Sequence, residues 1–413
     1  MKWDNKYLCE LAEINSGYAF KSNEMRSNKE LSSIPVIKIK NVNNRNVYKK
    51  CDSYLPINAY KSNYSKYILN NGDILVAMTG QGSVGRIGKM REVDQLYLVN
   101  QRVGIVRVKE NIANPEFIYQ QISNTKTEKY YYDLAFGAGQ PNLSPTDIGS
   151  LKIIYPPLLI QRKIASILSA YDDLIENNLR RIKLLEEKAQ LHYKELITEM
   201  SNSKTKREEY VKDCLEFYIG GGWGEENYEE KFTEPAYVIR GTDIPNVRRG
   251  DISDVPFRYH KSSNLVSRKI QEGDIVFEIS NGQINNIGRT VFISQKLIDQ
   301  FDLPVMCASF AKLIRVNEIV SPEYFYLYLN EGQKNGLLYE YKSNSANGIN
   351  NFAFETFIKE VKITLPNETE LKNFTQIIKP IFSLINTIGE QNTKLREARD
   401  ILLPRLMSGE IEV

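Results

Sequence analysis

The stretch LLIQRKIASILSAYDDLIENNLRRIKLLEEKAQLHYKELITEM, residues 158–200, decides the architecture. Ile164, Leu168, Tyr171, Ile175, Asn178, Ile182, Leu185, Ala189, His192 and Leu196 occupy the a and d places of an unbroken heptad, the mark of a helix that buries one narrow seam against another helix. At 1.5 Å per residue the rod is roughly 60 Å long. A step of 210 residues lands on Phe374, Ile378, Ile381, Ile385, Ile388, Asn392, Leu395, Arg399, Leu402 and Leu406, so a second helix repeats the register. If the pair is antiparallel with Asn178 facing Asn392, every other seam position also finds a seam partner, from Ile164 with Leu406 to Leu196 with Phe374. Tyr171 then faces Arg399, whose guanidinium could lie over the ring. A parallel pair would strand each asparagine against leucine or isoleucine, and a buried unpaired amide costs about 1–3 kcal/mol.

The segments outside the helices repeat as well. Asn-Gly-Asp-Ile-Leu-Val at 71–76 returns as Glu-Gly-Asp-Ile-Val-Phe at 272–277, each a turn feeding a strand. Pro35–Val42 is answered by Tyr237–Ile244, a β-branched strand opening into a polar loop. Asn114-Pro115-Glu116-Phe117-Ile118-Tyr119 is answered by Ser321-Pro322-Glu323-Tyr324-Phe325-Tyr326, a capped helix start with proline at its first position. Leu151–Pro156 and Val361–Pro366 close the two halves. These repeats predict a mixed α/β (α+β) fold in which two duplicated globular domains, 1–155 and 204–365, are separated by two long antiparallel coiled-coil helices in 156–203 and 366–413.

Composition narrows the functional classes. Apolar residues make up 42% of the 413 residues, enough for real cores. Four separated cysteines and two histidines offer no metal-ligand spacing. No stretch approaches the 18 apolar residues of a membrane span, and the expected location is the cytoplasm. Residues 1–155 carry 21 lysines and arginines against 14 acidic residues, which favours a polyanionic partner, whereas residues 204–365 carry 20 against 23. The second domain needs its cations gathered on one face to do the same.

The succession of globular domain, long helix, globular domain and long helix resembles the specificity (S) subunit of type I restriction-modification systems over essentially the whole chain. Gly139-Gln140-Pro141-Asn142-Leu143-Ser144, then Pro156-Pro157 and Gln161-Arg162-Lys163-Ile164-Ala165, is similar to that family's target-recognition domain running into its central helix. Leu395 to Ile411 resembles its distal helical region. The resemblance implies two target-recognition domains that each read half of a bipartite double-stranded DNA site, with two methyltransferase (M) subunits docked on the helices. Restriction (R) subunits join where a system has them. It implies no cofactor in this chain: S-adenosylmethionine, ATP and magnesium belong to the partner subunits. Asn347-Gly348-Ile349-Asn350-Asn351-Phe352 departs from the Gln-Pro-Asn-Leu-Ser type of loop, which leaves the second domain's contacts less defined. The alternative function is a duplicated coiled-coil adaptor for proteins, without DNA readout.

Catalytic signatures are sparse. Gly80-Gln81-Gly82-Ser83-Val84-Gly85 fits a dinucleotide-binding pattern, but the following residues read as strand rather than as the helix that pattern needs. No phosphate loop and no Asn-Pro-Pro-Tyr-like methyltransferase segment is present, so the expected role is non-catalytic. Reading duplex DNA requires lysine and arginine for phosphates, and arginine, asparagine or glutamine for base edges. The first domain offers Lys38, Lys40, Asn41, Lys49 and Lys50, then Gln81, Ser83 and Arg86, then Gln140 and Asn142. Arg86, Gln81 and Gln140 are the favoured base readers and the lysines the favoured phosphate contacts. The second offers Arg240, Thr242, Asp243, Arg248 and Arg249, then Asn281, Gln283, Asn285 and Arg289, then Asn347 and Asn350. Its acidic run, Glu225, Glu226, Glu229 and Glu230, should lie away from Arg248 and Arg249.

Overall fold

A computed structural model of the chain describes residues 3–43, 45–136, 141–201, 207–343 and 348–413. Two compact units divide it: unit 1 is Met1–Asp172 with Ala398–Val413, and unit 2 is Asp173–Glu397. Each unit takes a stretch of both long helices, Leu158–Ser201 and Glu368–Met407, together with its globular part.

Unit 1 is built on a six-stranded sheet ordered Ala12–Ser16, Val103–Val108, Ile74–Ala77, Ile87–Lys89, Arg45–Val47, Val42–Asn43. Unit 2 repeats the centre of that sheet as Leu215–Gly220, Ala311–Val316, Ile275–Glu278, Thr290–Phe292. A second small sheet is duplicated too: Ser33–Ile37 runs parallel to Leu98–Val99, as Glu234–Ile239 does to Val305–Cys307. The repeated Gly-Asp turn has a physical reason. Asp73 and Asp274 are buried, and each carboxylate accepts the backbone N–H three residues earlier, at 2.8 and 2.7 Å. Each also takes a guanidinium from the adjacent strand, Arg107 at 2.6 Å and Arg315 at 2.8 Å. Gly17 and Gly221 mark a shared close approach, because a Cβ at either would lie 2.4 or 2.2 Å from a neighbouring carbonyl oxygen.

Both units show the helices running antiparallel. In unit 1, Ile164 and Leu168 near the start of the first helix share a core with Leu406 and Met407 at the end of the second. In unit 2, Ile182, Leu185, Ala189 and Leu196 share a core with Phe374, Ile378, Ile381, Ile385 and Ile388. Every expected seam position is buried or half-buried. Asn178 Nδ2 donates to Asn392 Oδ1 at 2.9 Å, in the register that pairs the two asparagines.

That amide pair favours register more than stability, since the buried Asn392 Nδ2 itself has no partner among the described residues. Asn178→Leu alone should cost about 1–3 kcal/mol in urea unfolding, by leaving the facing amide unpaired. The double change Asn178→Leu with Asn392→Leu should recover that loss and exceed the starting stability. A double variant no more stable than either single would show that the pair is not a register device.

Candidate nucleic-acid interface

In unit 1, four loops are hydrogen-bonded into one cluster. The early loop at 38–41 meets the turn at 100–102, which leads from Leu98–Val99 in one sheet to Val103–Val108 in the other, through Asn100 N–H to Ile37 O, 2.9 Å. Met78, leading into the glycine-rich loop, donates to Arg102 O at 2.9 Å, and Thr79 pairs with Asn142 of the late loop. Lys38, Lys40, Gln101, Arg102 and Phe20 line a cleft of about 570 Å³ in this cluster. Lys38 is half-buried and donates to Ser53, a neutral partner. Lys40 pairs with Asp52 and, through that bond, holds the carboxyl below its usual pKa. Lys49 turns to Glu92 and Asp94, at 3.7 and 3.3 Å. Lys50, Gln81 and Asn142 are exposed, and Ser83 is half-buried.

Two expectations for unit 1 are corrected. Asn41 is buried, and its Nδ2 bonds the carbonyls of Tyr48 and Lys50 at 2.8 and 3.0 Å, so it shapes the early loop rather than facing a ligand. Arg86 folds back on Gly82 O at 2.5 Å and braces its own loop. Gly80, Gly82 and Gly85 all have positive φ, and a Cβ at Gly85 would meet Glu128 O at 2.7 Å, so the loop packs tightly on the helix Thr125–Ala135. Strand Ile87–Lys89 follows at once, which leaves no helix N-terminus to receive a pyrophosphate. Gln140 lies outside the described residues.

Unit 2 assembles equivalent loops but commits most of the expected residues to internal bonds. Arg240 grips Asp243 with Nε and Nη2, at 2.9 and 2.8 Å. Arg289 pairs with the buried Glu278 at 2.7 Å and also bonds Gly241 O at 3.0 Å. Asn281 donates to Glu278 at 2.7 Å, and Asn350 donates to the carbonyls of Asn281 and Gly282, at 3.2 and 3.1 Å. These four residues build the loops, and so does the buried Asp243. Arg248 is not on the loop face expected of it: it pairs with Glu186 of the first long helix at 3.0 Å, with its guanidinium 5.6 Å from the Tyr326 ring centre. Thr242, Arg249, Gln283 and Asn285 are exposed, and Asn347 lies outside the described residues. In the acidic run, Glu226 pairs with Arg258 at 2.9 Å and Glu225 bridges Tyr259.

Sequence reading missed the turns that connect the two sheets of each unit. Gln101 and Arg102 in unit 1, and Phe310 in unit 2, are exposed beside the other loops. Phe310 O accepts from Ile279 and Ser280 at 2.9 and 3.2 Å, the bond that Arg102 O makes with Met78. The available signal was the order of strands, since a strand antiparallel to the one after each Gly-Asp turn must begin where that strand ends.

At the seam, the expected Tyr171 and Arg399 stack gives way to a buried charge cluster. Arg399 Nη1 donates to Asp172 Oδ1 at 2.6 Å, and Gln120 Nε2 donates to Asp172 Oδ2 at 2.6 Å. Gln120 Oε1 in turn accepts from Arg45 at 3.0 Å. Arg45 is the one non-glycine among the described residues with positive φ, at 61°. Burial alone would raise the pKa of Asp172, but the charges of Arg45 and Arg399 and the bonds from Gln120 and Arg399 hold it below the usual carboxylate range. Elsewhere, burial pushes the Cys51 and Cys214 thiols up to about 11, which makes them poor nucleophiles. No three-residue group able to hold a metal occurs among the described residues, and no helix there is long and apolar enough to cross a membrane.

Residues 1–187 match the family of the type I restriction modification DNA specificity domain. The type I restriction enzyme MjaVIII specificity subunit of Methanocaldococcus jannaschii is 28% identical over 176 residues, a match spanning 42% of this chain and 40% of that one. The HindI specificity subunit of Haemophilus influenzae is 23% identical over 410 residues, covering 84% of this chain and 88% of that one. The crystal structure of the type I restriction-modification S subunit from M. genitalium superposes with a TM-score of 0.53 at 14% identity, covering 98% of this chain and 96% of that one, and so shares the fold. The first 187 residues thus resemble that DNA specificity domain, and the chain as a whole shares the fold of a type I restriction-modification S subunit.

Proposed function

We propose that this chain is the sequence-reading, non-catalytic component of a type I restriction-modification complex, with each unit's loop cluster reading one half of a bipartite duplex site. The observation that carries the reading is the duplicated meeting of early loop, glycine-rich or polar loop, inter-sheet turn and late loop in each unit. In unit 1 that cluster presents Lys38, Gln101 and Arg102, the residue types that bind phosphates and base edges. The helices hold methyltransferase subunits. Leu159, Leu174, Leu184, Leu191, Ile377, Leu384 and Ile401 are exposed along them, which suits protein docking better than contact with water. Methyl transfer with S-adenosylmethionine, and cleavage with ATP and magnesium where a restriction subunit is present, belong to those partners. Modification mapping of genomic DNA in cells with and without the chain tests the reading. Loss of methylation at one bipartite sequence is expected, and unchanged methylation would overturn it.

The phosphate contacts have a graded expectation. Lys38→Ala should weaken binding to every duplex and reduce the log–log salt slope by about one unit. Lys40→Ala and Lys49→Ala should reduce it less, because Asp52, Glu92 and Asp94 already balance those charges. Titration of random duplex at several salt concentrations measures this, and equal slopes for all three variants would remove the distinction. A protein adaptor without DNA readout would show no salt-dependent duplex binding at all.

A further inference from the structure

We infer that the two units read their half-sites by different chemistry: unit 1 through uncompensated cations around Arg102, and unit 2 through the apolar face of Phe310 set against thymine methyl groups. This rests on the reading that the loop clusters are DNA interfaces.

The duplicated fold makes the comparison direct. Arg102 and Phe310 stand at the same turn between the two sheets of their units, each with its carbonyl bonded to the segment that leads into the glycine-rich or polar loop. In unit 1, Lys38 bonds a serine, Arg86 bonds a backbone carbonyl, and the Arg102 side chain has no ionic or hydrogen-bond partner among the described residues. Positive charge at this cluster is left to be neutralised by an anion. In unit 2, Arg240 and Arg289 are held by Asp243 and Glu278, carboxylates that are 3% and 1% exposed. Lys342 remains, with its ammonium 5.5 Å from the Tyr339 ring centre.

Phe310 is 52% exposed on this weakly charged face, its carbonyl bonded to Ile279 and Ser280, which lead into the polar loop that carries the exposed neutral side chains of Gln283 and Asn285. A phenylalanine exposed on a turn gains nothing by facing water. Its ring has one distinctive feature to recognise in the major groove, the C5 methyl of thymine, since it can neither donate to nor accept from base edges. Burying one methyl group corresponds to about a fourfold change in affinity.

The test begins with the full chain selecting duplexes from a random pool at low salt, followed by the same selection with Phe310→Ala and Arg102→Ala. Phe310→Ala should relax preference in one half-site only and leave the salt slope unchanged. Arg102→Ala should relax the other and lower the slope by about one unit. Replacing thymine with uracil in the half-site that depends on Phe310 should weaken wild-type binding about three- to fivefold per contacted methyl and leave Phe310→Ala indifferent. Phe310→Leu should keep part of the effect. The inference fails if Phe310→Ala changes neither half-site, if that half-site contains no thymine, or if the variant remains as sensitive to uracil as the wild type. Failure of the wild-type chain to select any duplex would instead defeat the DNA reading itself, and the inference with it.

Discussion

Asp172→Ala should lower the stability of unit 1 by about 3–5 kcal/mol, the largest single-residue loss expected in this chain. Asp172 is 6% exposed and Arg399 is 7% exposed, so removing the carboxylate leaves a buried guanidinium whose remaining ionic partner among the described residues is the exposed Asp400. Gln120 loses an acceptor in the same step, and Arg45 and Arg91 each lose an opposing charge. The chain's two tryptophans separate the units, because Trp3 lies in unit 1 and Trp223 in unit 2. The fluorescence transition of Trp3, followed in a Trp223→Phe background, should move to lower denaturant while that of Trp223 moves much less. Replacing both partners, Asp172→Leu with Arg399→Leu, should cost less than Asp172→Ala alone, because the Arg399 guanidinium is then not left buried without its carboxylate. The pH dependence has a fixed sign. A carboxylate held below its unfolded pKa contributes stability that is full above that pKa and is lost as pH falls through the folded value. The gap between wild type and Asp172→Asn should therefore be complete above about pH 5 and close in stronger acid. A gap that widened on acidification, or a loss under about 1 kcal/mol, would show that the cluster carries no net favourable charge pairing.

Periodicity and duplication made the helices and the repeated strands legible, because both follow from burial of one face and recur at a fixed step. The Asn178 and Asn392 pair was legible for the same reason, since a polar residue on an apolar seam needs a partner of its own kind. Arg399 was misassigned because a heptad marks only seam positions, while its partner Asp172 sits one residue beyond Tyr171 and faces the globular part through Gln120. The loop residues of unit 2 were over-read for a related reason. Arginine in a polar loop looks free for a ligand, yet Arg289 and Glu278 are brought together only by the pairing of Thr290–Phe292 with Ile275–Glu278, which no local pattern displays. Asn41 and Asn350 show the same limit, as an amide that closes a turn has the composition of one that reads a base. Arg102 and Phe310 fell outside both patterns, because a turn between two sheets acquires its neighbours from strand order.

On the proposed reading, replacing residues 1–155 with the matching domain of a type I specificity subunit should exchange one half of a bipartite site and leave the other half and the spacing between them unchanged. The strand pairing explains why such a graft can be accepted. Asp4–Tyr7 lies antiparallel to Lys152–Tyr155, with Asp4 facing Tyr155, so the two ends of the first globular domain meet in a single ladder. Arg207–Tyr210 and Lys362–Leu365 close the second domain in the same way. Each domain therefore enters and leaves the chain at adjacent points, and its internal strand register is independent of the helix at its C-terminal end. What the graft must keep is its grip on the first long helix, where Gln161 accepts the N–H of Asn114 at 3.0 Å and Gln120 reaches Asp172 at 2.6 Å. Discrimination at each base pair is worth about 1–3 kcal/mol, so a domain that brings its own loops should move the site completely rather than blur it. A donor lacking glutamine at the place of Gln120 should give a poorly folded chimera, and restoring that glutamine should recover it. Methylation mapping of cells carrying the chimera reads the result. If both half-sites change together, the two units do not read DNA independently, and the assignment of one half-site to each loop cluster is wrong.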